Sequence, residues 1–152
     1  MMSLYAESSA VLAWLLGEGT AAHVRKALMT ADMVLASDLT LVECDRVLIR
    51  AVSLNEIDET KAADRRAQLN GAAAHWNVLR IGPEIIDRAR QSFPTEPVRT
   101  LDALHLASAL VGRAAVPDLE LLSLDARIRE AARQLGFGLL PKPEPIAESQ
   151  PV

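Results

Sequence analysis

The chain has 152 residues, one cysteine, three histidines and a formal net charge of −4 at pH 7. Its length predicts one domain with a sizeable core, and the single cysteine, Cys44, excludes an internal disulfide and is compatible with a reducing cytoplasm. These counts argue against a zinc site of Cys and His ligands. No apolar run approaches the roughly 20 residues of a membrane helix, and the N-terminus lacks the sections of a signal peptide. The negative charge argues against broad nucleic-acid binding but leaves a local basic patch open.

Strand-like apolar runs alternate with amphipathic segments along the chain. In chain order, the pattern predicts a strand at 3–6, a helix capped by Ser8 or Ser9 and ending at Leu16, a helix at 20–30, a strand at 33–36 and a helix at 39–51. It then predicts a helix at 59–74 capped by Asp58, a strand at 77–81, a helix from Pro83 to Phe93 and an apolar helix at 101–111 capped by Thr100. A strand at 119–124, a helix at 126–135 ended by Gly136 and a short strand at 138–141 follow.

This alternation is typical of an α/β fold with a mostly parallel sheet and helices on both faces. We predict a single domain over residues 1–141. The tail at 142–152 contains three of the eight prolines and few apolar residues, so we expect it to be disordered or draped over a neighbour. In folds of this class the functional site lies beyond the carboxyl ends of the strands.

Four acidic residues lie near the predicted carboxyl ends of strands. Glu7 and Asp125 come directly after strands, Glu43 lies in the second turn of the helix that follows the second strand, and Asp102 lies in the first turn of the apolar helix. Four carboxylates at one sheet edge would repel one another strongly without a cation between them. Oxygen ligands of this kind suit Mg²⁺ or Mn²⁺, whose bound waters a phosphodiester hydrolase activates.

Each acid also has a purely structural interpretation. Asp125 could be the N-cap of its helix, and Asp102 could complement a helix dipole. Glu43 could pair with a nearby arginine on its own helix. Glu7 is the hardest to explain in this way, because it is flanked by apolar residues and the cost of burying it must be offset. The joint placement of all four acids therefore favours a functional site.

Four segments of the chain resemble PIN-domain ribonucleases of the VapC toxin type. They are YAESSAVLAWLL, SDLTLVECDRVLIRA, RTLDALHLASAL and LLSLDARIREAARQLGF, in the order and spacing of that family over residues 3–140. The third segment is the most specific, particularly together with the Ser-x-Asp of the fourth.

The resemblance implies a three-layer α/β/α sandwich, a Mg²⁺ or Mn²⁺ cofactor and endonucleolytic cleavage of RNA. It also implies a homodimer that a cognate antitoxin neutralises. By position, the catalytic and metal-binding acids are those identified above: Glu7, Glu43, Asp102 and Asp125. Ser9 and Ser123 match the hydroxyl positions that orient carboxylates or a bound water. Glu7 departs from the family, which commonly has Asp there, and its extra methylene is expected to move the carboxylate outward by about 1.5 Å.

Other residues carry weaker signals. Arg46, Arg50 and Arg99 are candidates for binding RNA, because they are close in sequence to Glu43 and Asp102. We interpret His105 as a packed core histidine, although a general base is conceivable. Cys44 lacks a histidine partner, which argues against a nucleophile. Either Trp14 or Trp76 could stack on a base. Trp14, however, lies in the first apolar helix and is expected in the core.

Two other classes of function compete with the nuclease. The first is a PIN-fold binding or regulatory module with little turnover, which the unusual Glu7 would explain. The second is a phosphoryl-transfer domain such as a receiver or an aspartyl phosphatase. A receiver needs a pair of acids after the first strand and a late lysine, and the phosphatase needs Asp-x-Asp there. The chain has neither pattern, which disfavours the second class.

Overall fold

The computed structural model describes residues 1–142 and shows strands alternating with helices. The strands are β1 (Ser3–Ala6), β2 (Met33–Ser37), β3 (Asn77–Leu79), β4 (Glu120–Leu122) and β5 (Leu139–Leu140). The helices are α1 (Ser8–Leu16), α2 (Ala21–Thr30), α3 (Asp38–Ser53), α4 (Glu59–Ala73), α5 (Pro83–Ala89), α6 (Thr100–Ala115) and α7 (Ala126–Gln134). Among these residues no helix is both long and apolar enough to cross a bilayer.

The five strands form one parallel sheet in the order β3-β2-β1-β4-β5. β1 lies at its centre, with Leu4 paired to Val34 of β2 on one side and to Glu120 of β4 on the other. All four residues of β1 are buried, as expected for a strand covered on both faces. The predicted α/β class with a parallel sheet is confirmed.

Alternate residues of β1 serve two cores on opposite faces of the sheet. Leu4 and Ala6 belong to one core, together with residues of α1, α2 and α4. Tyr5 belongs to the other, where it packs with α6 and α7. Because successive side chains of a strand point to opposite faces, this division follows directly from strand geometry. The result is the three-layer arrangement that the resemblance implied.

Several helices and strands are shorter than predicted. The helix expected to reach Phe93 ends at Ala89, because the chain leaves the helix after Arg90 and Phe93 packs into the core from a loop. The strand predicted at 119–124 is paired only over Glu120–Leu122, where β5 lies beside it. Gly136 has a φ of 86° after α7, which confirms it as the residue that ends this helix.

Two helix caps differ from the prediction. Glu7, and not Ser8 or Ser9, is the N-cap of α1, and Arg99, and not Thr100, is that of α6. Asp58 caps α4 as predicted, accepting a hydrogen bond from the backbone N of Lys61 at 2.7 Å. The tail predicted at 142–152 lies, apart from its first residue, outside the described residues.

Candidate active site

Glu7 lies at the junction of β1 and α1 and is only 4% exposed. Its Oε1 accepts a hydrogen bond from the backbone N of Ser9 at 3.1 Å, which caps α1. Its Oε2 accepts from the hydroxyl of Ser9 and from Ser123 Oγ, the latter at 2.7 Å. The carboxylate of this longer side chain is buried and reaches three donors. These donors offset the cost of burying an acid in an apolar segment.

Ser9 and Ser123 also join the start of α1 to the end of β4. Ser9 Oγ accepts from the backbone N of Leu124 at 2.9 Å and lies 3.3 Å from Ser123 Oγ. Ser123 Oγ in turn accepts from the backbone N of Asp125 at 3.1 Å. Both serines thus contact a carboxylate, in the manner that the resemblance implied for orienting hydroxyls. Whether they support catalysis stays a prediction.

The two carboxylate oxygens of Asp125 bind different groups, one the backbone of α7 and the other Arg99. Oδ1 caps α7 by accepting from the backbone N of Arg127 at 2.9 Å and of Ile128 at 3.0 Å. Oδ2 faces away from the helix and lies 3.5 Å from Nη2 of Arg99. The capping interpretation of Asp125 is therefore correct for one oxygen and leaves the other available to a cation.

Arg99 bridges Asp125 and Asp102. Its Nε donates to Asp102 Oδ2 at 2.9 Å, and the two hydrogen-bonded acids raise the pKa of the guanidinium, mainly through this bond. The Arg99 side chain is 59% exposed, whereas those of Asp102 and Asp125 are 13% and 29% exposed. Asp102 of α6 and Asp125, the N-cap of α7, therefore share one cation, and that cation belongs to an exposed side chain.

Glu43 lies on α3 and is held by one oxygen only. Its Oε1 accepts from Ser8 Oγ at 2.6 Å and lies 2.5 Å from Nε2 of His105, while its Oε2 has no hydrogen-bond partner among residues 1–142. Burial raises the pKa of Glu43, but the hydrogen bonds from His105 and Ser8 outweigh it, so the pKa is lowered. The carboxylate is therefore ionised at neutral pH with one oxygen open.

The structure thus brings all four predicted acids to the carboxyl-end edge of the sheet. Adjacent serines in the first turn of α1 serve two of them, Ser8 binding Glu43 and Ser9 binding Glu7. Ser123 connects Glu7 to the backbone of Asp125, and Arg99 connects Asp125 to Asp102. Within residues 1–142, however, no three His, Cys, Asp or Glu side chains are grouped closely enough to hold one metal ion together.

The donor chemistry nonetheless fits a hard divalent ion. Mg²⁺ needs only one or two carboxylates, because it keeps several of its waters. Asp102 and Asp125 already bind a single cation in common, the Arg99 guanidinium, each through its Oδ2. Glu7 fits least well, since its buried oxygens are occupied by serine donors.

The other predicted candidates lie as follows. Arg46 and Arg50 are exposed on α3, and their side chains form no hydrogen bond or ion pair among residues 1–142. Cys44 is fully buried, and burial raises the pKa of its thiol, which argues against a nucleophile. Trp14 and Trp76 are partly buried and pack against the same core. The core position predicted for Trp14 is confirmed.

Sequence reasoning missed three residues of the site: Ser8, His105 and Tyr5. His105 was predicted to be buried, and it is, at 1% exposure, but it also contacts Glu43 directly. Its one sequence signal was its place three residues after Asp102 on the same apolar helix. Ser8 and Tyr5 flank the first acid but carried no signal of a contact across the fold.

The family model described as PIN domain matches residues 4–134. The chain belongs to the PIN-domain family. This PIN domain is 33% identical over 140 residues to Ribonuclease VapC46 of Mycobacterium tuberculosis (strain ATCC 25618 / H37Rv), an alignment that covers 92% of the chain and 98% of the relative.

Solved structures agree with the fold of this PIN domain. The structure of Mycobacterium tuberculosis VapC20, described as a sarcin-ricin loop cleaving toxin, superposes with a TM-score of 0.61 at 15% identity, covering 84% of this chain and 94% of that one. VapBC2 of Rickettsia felis, bound to a DNA fragment from its promoter, gives a TM-score of 0.59 at 12% identity, covering 91% and 97%. At these identities the likeness supports the architecture of the PIN domain and not its substrate.

Proposed function

We propose that this protein is a metal-dependent endoribonuclease and the toxin of a toxin–antitoxin pair, acting in the cytoplasm. The observation that carries the proposal is the set of hydrogen bonds that connects Glu7, Glu43, Asp102 and Asp125, through serines and Arg99, at the carboxyl-end edge of the sheet in a PIN domain. The full-length similarity to a protein named Ribonuclease VapC46 supports RNA as the substrate. Water would attack the phosphorus in line, so no covalent enzyme intermediate is needed.

Mg²⁺ or Mn²⁺ is the proposed cofactor, with Asp102 and Asp125 as its principal ligands. Oδ2 of each acid already lies within reach of one cation, the Arg99 guanidinium, whose place the ion would take. Glu43 and Glu7 complete the acidic set predicted from the sequence. When bound, such an ion lowers the pKa of an attached water and neutralises charge that develops on the phosphate.

The protein's own side chains divide the remaining tasks. Glu43 is ionised and offers Oε2 as the atom that would accept a proton from the attacking water or orient it. Glu7 is buried and binds three donors, so its role is to fix the first turn of α1. That turn carries Ser8, which holds Glu43. A buried anchor of this kind accounts for the tolerance of Glu where Asp is common.

Arg46, Arg50 and Arg99 are the proposed contacts to RNA phosphates. Arg46 and Arg50 lie on the same helix as Glu43, and both are exposed. A surface cavity of about 580 Å³ opens beside Asp102 and Arg99, which leaves room for a chain next to Asp102. Guanidinium groups suit phosphate because their donors match two oxygens at once.

The proposed partners are a cognate antitoxin and a second copy of the chain. Structural neighbours include a toxin–antitoxin complex from Klebsiella pneumoniae and the VapBC2 complex of Rickettsia felis. An inhibitory segment that presents Arg or Lys to the acids would replace the cation that Arg99 now supplies. Salt should therefore weaken the complex by screening exposed charge pairs.

Cleavage of a mixed RNA pool by the purified protein, with Mg²⁺, Mn²⁺ or excess chelator, tests the proposal. We expect cleavage only with an added ion, and we expect Asp102→Asn to abolish it. Asp118→Asn is the matched control, because Asp118 is exposed on the loop before β4 and makes no contact with the site. Full cleavage in excess chelator would refute the metal mechanism.

A folded protein that binds Mn²⁺ and RNA but does not cut would instead support the binding-module alternative. The toxin role needs a separate test, in which the chain is induced in a bacterium with and without the gene encoded beside it. We expect growth arrest through blocked translation that the neighbouring gene relieves. Unaffected growth at high soluble expression would contradict the toxin role.

A further inference from the structure

His105 contacts polar groups through both of its ring nitrogens although it is 1% exposed. Its Nδ1 lies 2.9 Å from the hydroxyl of Tyr5. Its Nε2 lies 2.8 Å from Ser8 Oγ and 2.5 Å from Glu43 Oε1. Buried ring nitrogens need hydrogen-bond partners, and His105 finds them on three different elements, β1, α1 and α3.

The orientation of the imidazole is fixed by rigid parts of the fold. His105 lies in the middle of α6, and Tyr5 lies on β1, the central strand. The Tyr5 hydroxyl also bonds Ser37 Oγ at 2.9 Å, and burial raises the pKa of Tyr5 to about 12, so it stays neutral. A side chain held between a central strand and a buried helix keeps its direction far better than one held by a loop.

The effect on Glu43 is selective for one oxygen. Ser8 and His105 both contact Oε1, and neither contacts Oε2. An ionised carboxylate can only accept, so the hydrogen in the 2.5 Å contact between Nε2 and Oε1 belongs to the imidazole, which donates it. Two groups therefore hold Oε1, whereas Oε2 has no hydrogen-bond partner among residues 1–142, in a side chain that is 28% exposed.

We propose that His105 is a positioning residue of the nuclease site: it fixes Oε1 of Glu43 so that Oε2 faces the ion and the substrate. This inference rests on the proposed function, because it assigns Glu43 a task that only a nuclease or a metal site needs. His105 itself touches neither substrate nor ion. Groups that hold metal ligands from behind typically change affinity or activity by about 10- to 100-fold when they are lost.

His105→Gln and His105→Asn form a matched pair for the test. The longer Gln side chain can bring an amide N–H to the place of Nε2, whereas Asn reaches only the place of Nδ1 and leaves Glu43 without this donor. We expect His105→Asn to weaken Mn²⁺ binding and lower kcat by about 10- to 100-fold with KM for RNA little changed, and His105→Gln to restore both. Mn²⁺ binding is read from the electron paramagnetic resonance of the free ion.

Two reference variants separate the possible failures. If Asp102→Asn cleaves RNA like the wild type, the proposed function itself is wrong. If Asp102→Asn is inactive while His105→Asn binds Mn²⁺ and cleaves like the wild type, only the positioning role is overturned. Should His105→Asn fail to fold, His105→Phe keeps an aromatic ring in the core without a donor to Oε1, and wild-type affinity and kcat in that variant would overturn the proposal equally.

Discussion

Replacing Ser123 by alanine tests how Glu7 is held in the interior. Ser123 is fully buried, donates to Glu7 Oε2 at 2.7 Å and accepts from the backbone N of Asp125 at 3.1 Å. Loss of a hydrogen bond to a charged group costs about 1.5–3 kcal/mol, and an unsatisfied buried amide costs about 1–3 kcal/mol. Because Ser9 still donates to the same carboxylate, we expect a loss of about 3 kcal/mol in the free energy of unfolding.

Urea unfolding followed by tryptophan fluorescence and thermal unfolding followed by circular dichroism both measure this loss. For a chain of this size, about 3 kcal/mol corresponds to a fall in Tm of about 6–12 °C. Ser53→Ala is the control, since Ser53 is exposed at the end of α3 and only bonds the carbonyl of Arg50. It should change stability by no more than about 0.5 kcal/mol. If Ser123→Ala is equally mild, the inward orientation of Glu7 is wrong.

Three further predictions concern the ion site and the buried tyrosine. Asp102→Asn should lose RNA cleavage and bind Mn²⁺ more weakly, whereas the control Asp118→Asn should do neither. If Asp102→Asn is destabilised but still cuts RNA, Asp102 acts only on the dipole of the helix terminus. Arg99→Gln should bind Mn²⁺ more tightly by electron paramagnetic resonance, because the competing cation is gone, and unchanged affinity would mean that Arg99 does not share the ion's place. Burial raises the pKa of Tyr5, the single tyrosine, to about 12. The contribution of the neutral Tyr5 side chain to the free energy of unfolding is therefore complete below pH 10. It is lost as the pH rises through 12, at about 1.4 kcal/mol per pH unit. Tyrosinate absorbance at 295 nm should accordingly appear near pH 12, or together with unfolding, and ionisation near pH 10 in the folded protein would contradict the burial of Tyr5.

The sequence by itself determined the architecture and the identity of the acids. Apolar runs of strand length alternating with amphipathic segments permit few arrangements other than a parallel sheet between helices. Once the sheet is parallel, residues that follow strands must meet at one edge, which is why Glu7 and Asp125 could be placed together. The Asp58 cap of α4 was also predicted, because its side chain binds the backbone of its own helix. These features depend on contacts within a few residues or on the strand period.

Only the tertiary structure decided what each acid binds. The donor to Glu7 on Ser123 is 116 residues away, and Ser8 and His105 are separated by 97 residues. No local pattern predicts such pairs, because the rotamer of a buried polar side chain is set by whichever donors the fold brings within about 3 Å. For this reason the sequence did not predict that Glu7 would be buried among serine donors. The fold likewise brings His105 to Glu43, although the position of His105 in its helix indicated only burial. It also brings Arg99 between Asp102 and Asp125.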